Sequence, residues 1–121
     1  VADTVGLLNL AAAELVGLVA EALRTGAWEG VGIRSPEHWV AWRCGVWGAR
    51  ARRLVVLARG LEALPVCRGL FESGSLSEDQ VSVIVRHTGP THDGRVAELA
   101  PSLTVTQLKR VLPSLPMPGR T

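Results

Sequence analysis

Cysteine is nearly missing from this sequence: Cys44 and Cys67 are the only two in 121 residues. Two cysteines make no disulfide framework, and Cys44 falls among apolar neighbours in a helical pattern where small buried thiols are common. Both read as core thiols in a reducing, cytoplasmic setting. Lysine is rarer still, since Lys109 stands against twelve arginines in a background of Ala, Val, Leu and Gly. That bias points to a GC-rich genome rather than to a chemistry. Alternating strand patterns bounded by turns are missing, as are internal repeats. No Cys-x-x-Cys, Gly-rich phosphate loop or nucleophile constellation is visible. An uninterrupted apolar run is also missing: "VADTVGLLNLAAAELVGLVAEALRT" begins acidic at Asp3 and is broken by Asn9, Glu14 and Glu21. A membrane span needs about 20 predominantly apolar residues, so this stretch reads as an amphipathic core helix with no membrane partner.

What is present is a succession of helix starts and stops, which predicts an all-α, compact multi-helix domain of six to seven helices. At this length one core serves the chain, and neither a metal nor a disulfide is needed to hold it. The first helix is predicted from about Asp3 to Arg24, with Val5, Leu8, Ala12, Leu15, Val19 and Leu23 as its core stripe, ended by Gly26. The loop "GAWEGVGIRS" leads to Ser35-Pro36-Glu37, where a capping hydroxyl, a proline for the first helical position and an acid for the positive dipole end stand together. A short helix to about Arg43 follows. Gly45 breaks it, and a second helix runs from Ala49 to Glu62 until Leu64-Pro65. Further helices are predicted over 65–73, from Ser77 with Gln80 at capping-box spacing, near 95–100, and over 105–112 opened by Thr104 and Gln107. Val81, Ile84 and Val85 form the stripe of the helix that starts at Ser77. Residues 1–112 thus read as the domain. The tail "PSLPMPGRT", 113–121, reads as a proline-rich linker leading to a further C-terminal domain.

Charge is uneven along the chain. The whole carries +2, but residues 1–33 hold −3, residues 34–68 hold +5, and the remainder balances. No acid lies between Glu37 and Glu62. On the helix of this basic stretch Ala51, Leu54, Ala58 and Leu61 make one stripe flanked by Val55 and Leu57, while Arg52, Arg53 and Arg59 lie opposite with Val56. The spacing Val40-Ala41, Cys44-Gly45-Val46, Ala51 and Leu54 resembles the DNA-binding helix-turn-helix signature. Two helices crossing through a short turn need a small residue at closest approach and glycine where φ is positive. By that resemblance Trp47, Arg50 and Arg53 face bases, and Arg43, Arg52 and Arg59 meet phosphates. The same pair is equally compatible with two packed helices whose basic face is only solvated. Trp28, Trp39 and Trp42 are expected in the core, the last two sharing a helix face, and Trp47 alone is open.

The stretches "GAWEGVGIRSPEHWVAWRCGV", "ARARRLVVLARGLEALP", "FESGSLSEDQVSVIVRH" and "TVTQLKRVL" together are similar to the N-terminal domain of the 13E12-repeat proteins of high-GC bacteria. The resemblance spans about residues 5–112. In that family the domain commonly precedes an HNH endonuclease domain. An HNH centre needs a histidine base, a further His or Asn for metal, and often Cys-x-x-Cys zinc pairs. With only His38, His87 and His92, this chain is expected to be no enzyme, to take no metal or cofactor, and to serve as a DNA-binding domain that positions a nuclease. Two other readings stay open: a protein-interaction module pairing through its long first helix with another copy or with the nuclease domain, and a remnant with no activity of its own. Where relatives carry Ser-Pro, this chain has Trp47-Gly48, so the second helix of the basic pair is expected to start late or fray, at a cost of about 1 kcal/mol. Two groups are set aside. His87, His92 and Asp93, with Cys67 near them, match no common metal template, and Glu78 and Asp79 read as dipole partners of a helix start.

Overall fold

The computed structural model describes residues 2–115, and it is all-α: seven α-helices and four single 3-10 turns, with no strand among the described residues. The helices are α1 (Ala2–Thr25), α2 (Pro36–Cys44), α3 (Gly48–Gly60), α4 (Pro65–Glu72), α5 (Glu78–His87), α6 (Asp93–Leu99) and α7 (Val105–Val111). α3 is the axis of the domain, packing on α1, α2 and α5. α4 fills the space between α1 and α6, and α7 closes the far side against α5. Residues 116–121, most of the expected linker, lie outside the described residues. Before them Leu112–Ser114 form a 3-10 turn and Leu115 still packs on the core.

The local start signals operate as their chemistry requires. The Ser35 hydroxyl accepts from the His38 amide at 3.1 Å, with Pro36 in the first turn behind it. Ser77–Gln80 and Thr104–Gln107 both form full capping boxes, each side chain accepting from the other residue's backbone amide. Gly26, Gly45 and Gly74 end α1, α2 and α4 with φ of 73°, 66° and 84°, a region that costs a side-chain-bearing residue energy. α3 begins at Gly48, one residue before the expected start, although Trp47 offers its first turn no side-chain cap.

The buried stripe of α3 is the expected one, with Ala51, Leu54, Val55, Leu57, Ala58 and Leu61 all in the core. At its C-terminal end α3 meets α5 so closely that a Cβ on Gly60 would stand 2.2 Å from Val85 Cγ1. Side-chain-free backbone is what permits this approach.

Two expectations about the core are corrected. In α1 the buried residues are Ala13, Val16, Val19 and Ala22, while Val5 and Leu8 are exposed and Leu15 and Leu23 only half-buried. A 24-residue helix is about 36 Å long; its buried side chains lie between Ala13 and Ala22, and nearer its start Asn9 Nδ2 donates to the Gly74 carbonyl at 3.1 Å. Trp42 and Trp28 are not core either. At 100° per residue Cys44 lies about 40° from Val40 and Trp42 about 160° from it, so packing Val40 turns Trp42 out to solvent, where it is exposed. Trp28 is half-buried in the turn after α1 and is not among the side chains packed on the core, whereas Trp39 is.

Candidate nucleic-acid interface

The basic stretch folds into α2, a three-residue turn and α3. The turn is closed by the left-handed Gly45 and by the Val46 amide donating to the Ala41 carbonyl at 3.2 Å. The chain then extends through Trp47, whose carbonyl accepts from the Ala51 amide at 2.9 Å and so opens α3. Val40, Ala51 and Leu54 are sealed beneath the pair. These contacts fix the outer residues. Trp47 projects at the turn with 87% of its surface exposed, and neither Trp39 nor Trp42 covers it to any large extent. Arg43 at the end of α2, and Arg52 and Arg59 along α3, are exposed and make no ion pair or side-chain hydrogen bond among the described residues.

Arg50 and Arg53 are placed differently. Arg50 Nη2 donates to Glu78 Oε1 at 2.8 Å, Arg53 Nε lies 3.7 Å from Glu78 Oε2, and Arg53 Nη2 pairs with Asp79 Oδ1. Glu78 and Asp79 are in the first turn of α5. They therefore act on the helix dipole, as expected, and also tie α5 to the start of α3. Of the six arginine and tryptophan positions singled out in the sequence, four present a free side chain to solvent and two are neutralised within the fold. Arg53 Nε is buried without a hydrogen-bond partner, because the guanidinium spans two carboxylates and aligns well with one.

Sequence reasoning missed two further cations. Arg86 near the end of α5 and Lys109 on α7 line a groove of about 600 Å³ together with Arg53, Ser82 and His87. Asp79, the partner of Arg53, lines the same groove, so Arg86 and Lys109 stand apart from the free arginines of the α2–α3 face. No signal in the linear sequence marks the groove, because Arg86 and Lys109 belong to a segment whose charges balance.

Asp93, set aside above as a metal ligand, has a structural role that the sequence did not announce. It is buried, and its two carboxylate oxygens accept from the backbone amides of Val66 at 2.8 Å and Cys67 at 2.9 Å. It caps α4 from 27 residues away, where Leu64 supplies no capping side chain. The Cys67 thiol donates to the Asp93 carbonyl at 3.5 Å. Burial, then hydrogen bonding and the negative charge of Asp93, push that thiol up from its ordinary 9.0 to about 12. Cys67 is thus a neutral packing group. His87 is exposed and His92 half-buried, and the described residues assemble no group of three or more His, Cys, Asp or Glu side chains around a common point.

α1 is long and apolar enough to cross a membrane by length and composition, over Asp3–Thr25. One of its faces, at Ala13, Val16, Val19 and Ala22, is taken up by the core of the domain. Comparison with curated proteins and with solved structures gives no match. The family model described as a domain of unknown function, DUF222, matches residues 6–115, and the chain belongs to that family.

Proposed function

We propose that this chain is a non-catalytic DNA-binding domain of the 13E12-repeat type, acting in the cytoplasm to position an HNH endonuclease domain on its substrate. The observation that carries the reading is the outer face of α2, the turn and α3. It presents Trp47 and three unpaired arginines, Arg43, Arg52 and Arg59, from a two-helix unit whose inner face, at Val40, Ala51 and Leu54, is buried in the core. Guanidinium groups suit bidentate contact with phosphate and with guanine edges. A flat exposed indole beside them supplies a stacking or groove-wall surface. The association with a nuclease rests on the sequence resemblance alone.

In this arrangement Arg43, Arg52 and Arg59 contact phosphates, and Trp47 meets the groove. Arg50 and Arg53 engage DNA only by exchanging a carboxylate for a phosphate. Binding is mainly electrostatic and hence steeply salt-dependent. Fluorescence anisotropy with a duplex, titrated from 50 to 200 mM salt, tests it. Replacing Arg43, Arg52 and Arg59 by Ala is expected to remove most of the salt dependence, whose slope three phosphate contacts set at about −2.7 on the log–log scale. Weak binding that the triple variant leaves unchanged refutes the reading.

A further inference from the structure

Two of the four tryptophans stand in water: Trp42 is 69% exposed and Trp47 87%. Neither serves the core. Packing Val40 turns Trp42 outward, and Trp47 stands at the cap of α3 without giving that helix a side-chain hydrogen bond. Both lie within three residues of the left-handed Gly45, and the five residues of chain from one to the other hold their Cα atoms within about 18 Å. Cations stand beside them. A Cβ on Gly48 would meet Arg52 Nη1 at 3.5 Å, which places that guanidinium beside the residue next to Trp47, and Arg43 directly follows Trp42. Neither of these arginines, nor Arg59 further along α3, has an ion-pair partner among the described residues. Exposed aromatic rings among unpaired guanidinium groups form the kind of surface on which bases stack while their phosphates are neutralised.

The start of α3, by contrast, is closed to base reading. In a helix-turn-helix the first turns of the second helix contact base edges in the major groove, and at that end of α3 Arg50 and Arg53 are held by Glu78 and Asp79. Seated in a groove, they carry two carboxylates in between the phosphate backbones, like charge against like. Inside an intact duplex each base is stacked on both sides and offers an indole no face. An unpaired base offers one. We infer that the DNA this surface takes is single-stranded, its bases stacked on Trp47 and Trp42 and its phosphates met by Arg52 and Arg43. The inference rests on the DNA-binding reading above and narrows its substrate. An intact duplex is held through phosphates alone, a single strand through phosphates and bases.

Fluorescence anisotropy at 50 mM salt compares an oligothymidylate of about 15 nucleotides with a duplex of the same length. Charge alone favours the duplex, where three phosphate contacts give a log–log salt slope of about −2.7, against about −2.1 on a single strand. Tighter binding of the oligothymidylate therefore reads stacking. Trp47→Ala is expected to weaken that binding at least about fivefold and to leave duplex affinity unchanged, with Trp47→Phe recovering part of the loss and Trp42→Ala acting in the same direction. The melting temperature is expected to hold, since Trp47 has neither a cap bond nor a core contact to lose. A duplex bound as tightly as the single strand, or a Trp47→Ala variant that weakens both alike, overturns the inference and leaves the DNA-binding reading standing. Binding of neither overturns both. A dimer in light scattering that Trp42→Ala with Trp47→Ala returns to monomer also overturns the inference, because a second copy then covers the indoles.

Discussion

Neutralising the acid pair on α5 is expected to move DNA affinity and stability in opposite directions. Glu78→Gln with Asp79→Asn removes both partners of Arg50 and Arg53 and raises the formal charge from the wild-type +2 by two. In the native fold three arginines of the α2–α3 face are free, so the salt slope on DNA is about −2.7, or a loss of roughly 40-fold between 50 and 200 mM. With Arg50 and Arg53 released the count is five, the slope about −4.5 and the loss over the same interval roughly 500-fold. Affinity at 50 mM therefore rises, and the gain shrinks as salt is added. Stability falls modestly. Arg50 is half exposed, so its pair contributes at most about 1 kcal/mol after screening, and losing two acids from the first turn of α5 adds a few tenths each. A total of about 1–2 kcal/mol lowers Tm by roughly 5–10 °C for a domain of this length. Anisotropy at 20 °C over the salt series, with a thermal melt of the same preparation, reads both. If the double variant binds no more tightly at 50 mM and its slope stays near the wild-type value, Arg50 and Arg53 never reach the phosphates, and the basic face ends at the three free arginines.

Two further outcomes follow from the buried Asp93. Asp93→Ala leaves two amides in the first turn of α4 without acceptors, which is expected to cost about 3–4 kcal/mol, from two charge-assisted hydrogen bonds and the cap they provide. That is a large share of the roughly 6–17 kcal/mol a domain of this length possesses; a urea midpoint showing a loss under about 1 kcal/mol would mean the cap is dispensable. Cys67 gives the chain an alkaline limit. Its thiol ionises near 9.0 when unfolded and at about 12 when folded, so the unfolded state releases its proton first, and stability present below pH 9 declines as pH rises toward 12. With tyrosine absent and Lys109 the single lysine, few other groups titrate there. Urea midpoints between pH 7 and 11 are expected to fall for the wild type and to stay level for Cys67→Ala; parallel curves would remove Cys67 as the cause.

The starts of α2, α5 and α7 and the ends of α1, α2 and α4 were legible because their signals are written within a few residues of one another. Ser35 and Pro36, Ser77 and Gln80, Thr104 and Gln107 form their caps whatever the rest of the chain does, and Gly26, Gly45 and Gly74 stop helices by their own backbone freedom. The stripe of α3 was legible for a related reason: a helix packed by α1, α2 and α5 has one apolar face and a single way to bury it. What escaped is non-local. Arg50 and Glu78 are 28 residues apart, and Asp93 reaches α4 across 26 and 27, so neither a free arginine nor a buried acid was distinguishable from a surface charge. α1 shows the limit most clearly. Leu15 belongs to the expected stripe with Val5 and Leu8 and also to one with Ala11 and Leu18, since a helix this apolar satisfies more than one period at once. Periodicity therefore showed that α1 has something to bury and was silent on how much of it this domain covers. The neighbours decide that, by burying only the face at Ala13, Val16, Val19 and Ala22. They leave Leu8 and Leu18 facing solvent, and no spacing within α1 distinguishes those leucines from Val16 and Val19, which the neighbours bury.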